Sequence, residues 1–243
     1  MKNLLKIVLT VAVTLILFAG CSSNKAPKNL TVEEFEKNVA QIVDINNYVD
    51  AAQENDVVRA YGMSAALLKD RDFDFEVSLH KGTKLSIPMD YSAFVSQGWK
   101  LVNEKYKGFP LKVKASTSVD CAYGDKEIKI FVKNNTDEAT TIEKGVVYRA
   151  QIVQYSEEDG FTKKLASAPK FSVCGNIKNK SDIKDITKTL GNPDLISYVK
   201  VNDDVYKMVV LYQNLSDNDN IKFTLTADGS KIVSVDLNKD ISK

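Results

Sequence analysis

Four carboxylates stand at alternate positions in Asp70-Arg71-Asp72-Phe73-Asp74-Phe75-Glu76-Val77. A pair of carboxylates can hydrolyse glycosides when an apolar wall keeps one of them protonated. Here the alternation places Asp70, Asp72, Asp74 and Glu76 on one strand face and Phe73, Phe75 and Val77 on the other. An acidic row of this kind reads as a solvated face. It offers a hold for a cation or a basic partner, with Asp72, Asp74 and Glu76 as candidate contacts. Nucleophilic catalysis by Ser or Cys usually requires a neighbouring His. His80 is the only histidine, it stands beside Lys81 and Gly82, and no G-x-S-x-G occurs. Asp217-Asn218-Asp219-Asn220 opens like a calcium loop, yet Lys222 occupies the sixth position, where such a loop needs Gly. A plain turn is the better reading. The 11 glycines are scattered and build no phosphate-cradling loop.

Cys121 and Cys174 match no zinc spacing. Two alternatives stand for them. A disulfide would stabilise the fold by about 4 kcal/mol through loop closure. Otherwise they are buried thiols acting as small apolar side chains. Tyr91, Phe94 and Trp99 cluster in sequence. Phe94 and Trp99 read as core anchors, and Tyr91 is a candidate partner-facing aromatic.

The elements that must position these residues follow from periodicity. Thr31-Val32-Glu33-Glu34 is a capping box, and Val32, Phe35, Val39, Ile42 and Val43 recur at helical spacing. A helix is expected over 32–45 and a second over 56–68, giving a helical segment at 31–70. A strand over 70–77 opens the next unit. A short helix at 88–95 follows, with Asp90 as N-cap and Gly98 past its end. Strands are expected from Trp99 and at 111–115, 127–133 and 146–155. The later half repeats the order. Phe171 begins it, a helix spans 181–190 with Ser181 as N-cap and Gly191 as its stop, and strands follow at 195–201, 206–213, 220–227 and 231–237. Asp228-Gly229 marks the last hairpin. Phe75 with Phe171, Gly98 with Gly191 and Ile128 with Ile221 align the halves at nearly constant offset. The expectation is an α+β protein of antiparallel sheets, each with a short packed helix. Two tandem modules, 71–160 and 165–243, carry them.

The chain holds 33 basic and 32 acidic residues. No basic excess exists to drive nucleic-acid binding, so that class is set aside. No cofactor motif occurs.

Lys2 and Lys6 precede an apolar run from Ile7 to Phe18, and Ala19-Gly20-Cys21 closes it. A charged start, a short apolar stretch and small residues before a cut site make a signal peptide over 1–20. Leu17-Phe18-Ala19-Gly20-Cys21 resembles the lipobox of bacterial lipoproteins, with Phe18 where Leu is usual. The resemblance implies a diacylglycerol on Cys21, a membrane anchor and an extracytoplasmic location. Residues 21–30 then form a lipidated polar tether. Ser181-Asp182-Ile183-Lys184-Asp185-Ile186 leading to Leu190-Gly191-Asn192-Pro193 resembles the small-lipoprotein and β-lactamase-inhibitor-protein-like superfamily. The stretch from Gly82-Thr83 through Pro88 to Gly98-Trp99 is similar to uncharacterised lipoproteins of Gram-positive bacteria. These resemblances imply a non-catalytic module that binds an envelope protein or scaffolds an envelope assembly. A solute- or glycan-binding lipoprotein is the alternative, and a cell-wall hydrolase a more distant one.

Overall fold

The computed structural model describes residues 29–51 and 56–241. The expected signal peptide, Cys21 and all but the last two residues of the expected tether lie outside the described residues.

Helix α1 spans Val32–Ile42. The Thr31 hydroxyl accepts the Glu34 N–H at 3.2 Å, and the Glu34 carboxylate accepts the Thr31 N–H at 2.9 Å. That reciprocal cap satisfies two N–H groups the first turn would leave unpaired. The helix stops three residues short of the expected end, because the Asp44 carboxylate takes the Asn46 N–H and starts a separate turn. Strand β1 is Tyr48–Asp50 and β2 is Val57–Met63. The helix expected over 56–68 is therefore a strand and one 3-10 turn at Ala65–Leu67. Val57, Val58 and Tyr61 favour a pleated surface, and β2 finds a partner on both edges. The pairing outweighs a helical period spread over little more than three turns.

Short strands β3 (Glu76–Ser78), β4 (Lys84–Ser86) and β5 (Met89–Asp90) follow. Only the end of the strand expected over 70–77 joins a ladder. Helix α2 is Tyr91–Val95, and its N-cap Asp90 makes no side-chain cap bond. Next come β6 (Lys100–Leu101), β7 (Pro110–Leu111), β8 (Ser116–Tyr123), β9 (Lys126–Lys133), β10 (Thr140–Thr141) and β11 (Val146–Val153). Strand β8 forms where no strand was expected, and the one expected over 111–115 is reduced to β7. After β12 (Ser172–Val173) and β13 (Ile177–Lys178) comes α3, Ile183–Leu190. Asp182, not Ser181, caps it, accepting the Asp185 N–H at 2.9 Å. Ser181 instead accepts the Lys178 N–H. Four long strands close the chain: β14 (Leu195–Asn202), β15 (Val205–Gln213), β16 (Asn220–Thr226) and β17 (Ile232–Asn238).

One antiparallel sheet dominates, in the order β1-β2-β14-β15-β16-β17-β11-β9-β8-β6, with β5 beside β11. Helix α2 leads into β6, β8, β9 and β11, and α3 leads into β14 to β17. The last strands of the two meanders meet, Ala150 opposite Leu237 and Ile152 opposite Val235. The halves thus share one sheet where separate sheets were expected. A smaller sheet, β13-β12-β3-β4, joins them again, with Val77 opposite Val173.

The core lies on one face of the large sheet. Ile128, Ile130, Ile152, Val210, Phe223 and Val235 are buried there. Phe35 of α1 stacks on Tyr198 at 4.6 Å, so α1 covers this face. Phe94 of α2 stacks on Trp99 at 5.5 Å, and the Trp99 indole N–H donates to Thr83. Both aromatics are core, as expected. Gly229 takes a positive φ of 74° in the β16–β17 turn, and a Cβ there would meet Ile183 of α3 at 2.8 Å. The expected Asp228-Gly229 hairpin is thus also the seat of α3.

Candidate interaction face

The opposite face of the large sheet carries the alternate residues, and cross-strand register sets them in rows. One row runs Ala60, Ser197, Val209, Thr224, Ser234 and Val153 across β2, β14, β15, β16, β17 and β11. The next runs Leu211, Lys222, Asp236, Gln151, Lys129 and Asp120. Val209, Leu211, Lys222, Gln151, Lys129 and Phe131 are half-buried, and their core-side neighbours on the same strands are fully buried. The side chains at the centre are small, so Ser197, Thr224 and Asp236 sink below their larger neighbours.

The centre of this face is an ion pair. Arg149 grips Asp236 with two hydrogen bonds, Nε to Oδ1 at 2.8 Å and a terminal nitrogen to Oδ2 at 2.6 Å. Asp236 is 3% exposed, and the forked geometry compensates for its burial. The guanidinium lies 4.3 Å over the Phe131 ring. Contact with the carboxylate pushes the Arg149 pKa above its ordinary value. Lys222 stands 3.9 Å from the same carboxylate, and Lys129 stands 3.9 Å from Asp120. Charges therefore alternate in sign along the row, framed by Val209, Leu211 and Phe131. Loop 165–167 borders a depression of about 220 Å³ here, lined by Asp120, Lys129, Gln151, Val153 and Leu165 among others. The arrangement can present alternating charge, apolar patches and hydrogen-bonding groups to a broad partner. No group within it is placed as a nucleophile with a base.

Of the candidate residues from the sequence, Tyr91 is not on a surface. It is 3% exposed in the core beneath α2, and burial pushes its phenol pKa up. Its position at the first turn of a short helix that must dock on the sheet turns it inward. Asp72 and Asp74 are exposed and Glu76 is half-exposed. Asp74 accepts the Glu76 N–H at 2.9 Å, and Glu76 pairs with Lys84 at 2.8 Å. The acidic alternation is real, but it leads into β3 of the small sheet and forms no part of the rows above. Cys121 and Cys174 are free thiols and no disulfide joins them. Cys121 faces the core from β8. Cys174 sits in the β12–β13 turn with its thiol on the Asp74 carbonyl at 3.8 Å. Burial pushes both thiols up to about 12, which keeps them protonated and poorly nucleophilic near neutrality. His80 packs edge-on against Tyr123 at 6.1 Å. Among the described residues no cluster of three potential metal ligands occurs, and Asp217 to Asp219 lead from a turn into β16, with Asp219 paired to Lys239.

The sequence reading missed the Arg149–Asp236 pair and a second buried pair. Arg71 donates to the Leu190 and Asn192 carbonyls at the end of α3 and to Asp194 at 3.0 Å. Its side chain is 12% exposed, and Asp194 also accepts the Gln213 N–H at 2.8 Å. A cleft of about 260 Å³ lies alongside, lined by Asn47, Met63, Leu67, Lys69 and Arg71. Neither pair has a local signature, since the partners are far apart in sequence.

Comparison with known proteins finds no matching family model, no similar curated protein and no similar solved structure.

Proposed function

We propose that the chain is a lipid-anchored lipoprotein of the bacterial envelope, of the inhibitor-protein-like kind, that binds a protein partner without catalysis. The partner sits on the open face of the large sheet. The observation that carries this reading is the face itself: cross-strand rows of half-exposed apolar and alternately charged side chains around the Arg149–Asp236 fork. Arginine and aromatic residues at the centre of a broad face are what interface hot spots are made of. The lipobox-like Leu17-Phe18-Ala19-Gly20-Cys21 supplies the address. We read the two halves as tandem copies of one helix-and-meander unit. Three correspondences support that reading. Gly98 and Gly191 both follow a helix with positive φ, Ile128 and Ile221 both sit on third strands, and Val77 faces Val173.

The test is cross-linking in intact cells followed by mass spectrometry of what co-purifies with the tagged full chain. One reproducible envelope protein should be recovered. Val209→Glu with Leu211→Glu should reduce its recovery at least tenfold while leaving the protein folded. Recovery of no protein from folded, anchored material sinks the reading and turns the search to solutes and glycans.

A further inference from the structure

Residues 102–114 link β6 to β8 as a ledge that begins where the Val102 N–H donates to the Asp120 carbonyl of β8 at 2.9 Å. Three of the seven large apolar side chains that stand exposed among the described residues lie within this one stretch: Val102 at 51%, Phe109 at 37% and Val113 at 46% exposure. Tyr106, half-buried against the core, backs them, its ring 5.6 Å from that of Phe109. Lysines interleave with them. Lys105 lies 5.0 Å over the Tyr106 ring, and Lys107, Lys112 and Lys114 follow, against a single acid, Glu104.

The backbone beneath is firmly held, so the exposure is not that of a loose loop. Leu111 is buried, and β7 pairs with β10. The Asn134 amide donates to the Leu111 and Lys112 carbonyls, and the Phe109 carbonyl accepts the Ile142 N–H at 3.0 Å. Two neighbouring acids are already engaged. Asp137 stands 3.5 Å from Lys114, and Glu143 accepts the Gly108 N–H at 2.6 Å. Lys105, Lys107 and Lys112 have no ion pair within 4.0 Å among the described residues.

Apolar and aromatic tips set singly among long cationic side chains suit the boundary layer of a bilayer. The tips enter the acyl region while the lysines reach anionic headgroups. A protein groove would instead favour contiguous apolar surface, which the lysines interrupt. We infer that the 102–114 ledge is a membrane-contact surface that docks on anionic lipid through Val102, Tyr106, Phe109 and Val113 with Lys105, Lys107 and Lys112. This rests on the proposed envelope location for its setting, though the contact needs no anchor. The ledge would hold the sheet in a fixed orientation to the membrane.

The experiment uses the full chain on vesicles of phosphatidylcholine alone and with about a third phosphatidylglycerol. Side-chain oxidation by hydroxyl radicals is read residue by residue. Tyr106 and Phe109 should be oxidised several-fold less on the anionic vesicles than on the neutral ones, with Leu67 and Leu215 unchanged. The protection should fade at high salt, since the attraction is screened. Lys105→Glu, Lys107→Glu and Lys112→Glu together should abolish it in protein with an unchanged circular dichroism spectrum. Each lysine at an anionic surface is worth about fivefold in partitioning, so the triple change should exceed 100-fold. Protein that floats with both vesicle types while Tyr106 and Phe109 react equally on each overturns the inference and leaves the anchor standing. Protein that fails to float with neutral vesicles, yet shows protection on anionic ones, removes the anchor and leaves the ledge.

Discussion

Arg71 and Asp194 are the residues whose loss the fold should feel most. Removing one member of a buried pair leaves the other charged and unsolvated, at a cost of roughly 3–5 kcal/mol. Asp194→Ala also strips the Gln213 N–H of its acceptor and frees Arg71 from one of its three anchors. Urea denaturation should show a loss of at least 3 kcal/mol. The two thiols make a second prediction. Their folded pKa of about 12 lies above the ordinary 9.0. An acid raised in this way favours the folded state below its unfolded pKa, and that stability is lost as pH rises toward the folded pKa. Between pH 9 and 10 each thiol should lower the unfolding free energy by about 1 kcal/mol. Cys121→Ala with Cys174→Ala should flatten that limb, and equal slopes would sink the account. Tyr91 teaches the residue-scale lesson. An aromatic at a helix start reads from sequence as a surface anchor as readily as a core one, and only the docking direction of α2 decides between them.

At the scale of elements, the helix caps separate what was expected from what formed. Ser181 and Asp182 are both good N-cap types, and Ser181 is the one expected from sequence. The structure places Asp182 on the Asp185 N–H and Ser181 on the preceding turn. Asp182→Ala should therefore cost about 1 kcal/mol, as loss of a cap bond does, and Ser181→Ala less. Thermal unfolding of the two variants checks the order. Gly229→Ala should cost more than 1 kcal/mol, because its backbone is left-handed and its Cβ would strike Ile183. The amphipathic periods that named α1, α3, β9 and β14 to β17 were sound, since each element buries one face on a large core. Residues 57–63 carry apolar side chains at spacings that suit either period. Their strand exists because β1 and β14 flank it, and β14 lies well over 100 residues away.

The whole molecule is organised by the β11–β17 seam. Two meanders that pair along a full strand edge should unfold together. Trp99, the only tryptophan, reports on the first half, and circular dichroism reports on all strands. Their urea midpoints should coincide. Asp236→Ala at the seam should shift both by the same amount, and divergence of the two probes would show the halves to be independent.

The local pattern of this chain determined its strand-rich α+β character, the turn at Asp228-Gly229, the capped start of the helix at Val32 and the core places of Phe94 and Trp99. These depend on interactions within a few residues or on a period that one buried face imposes. The tertiary structure alone decided that both meanders share a sheet, that residues 57–63 are a strand and that Cys121 and Cys174 stay apart. It also placed Arg149 on Asp236, on strands that adjoin only when the seam forms. The physical reason is the same in each case: edge pairing and charge burial depend on partners that sequence distance conceals, and their energies exist only once the chain has brought them together.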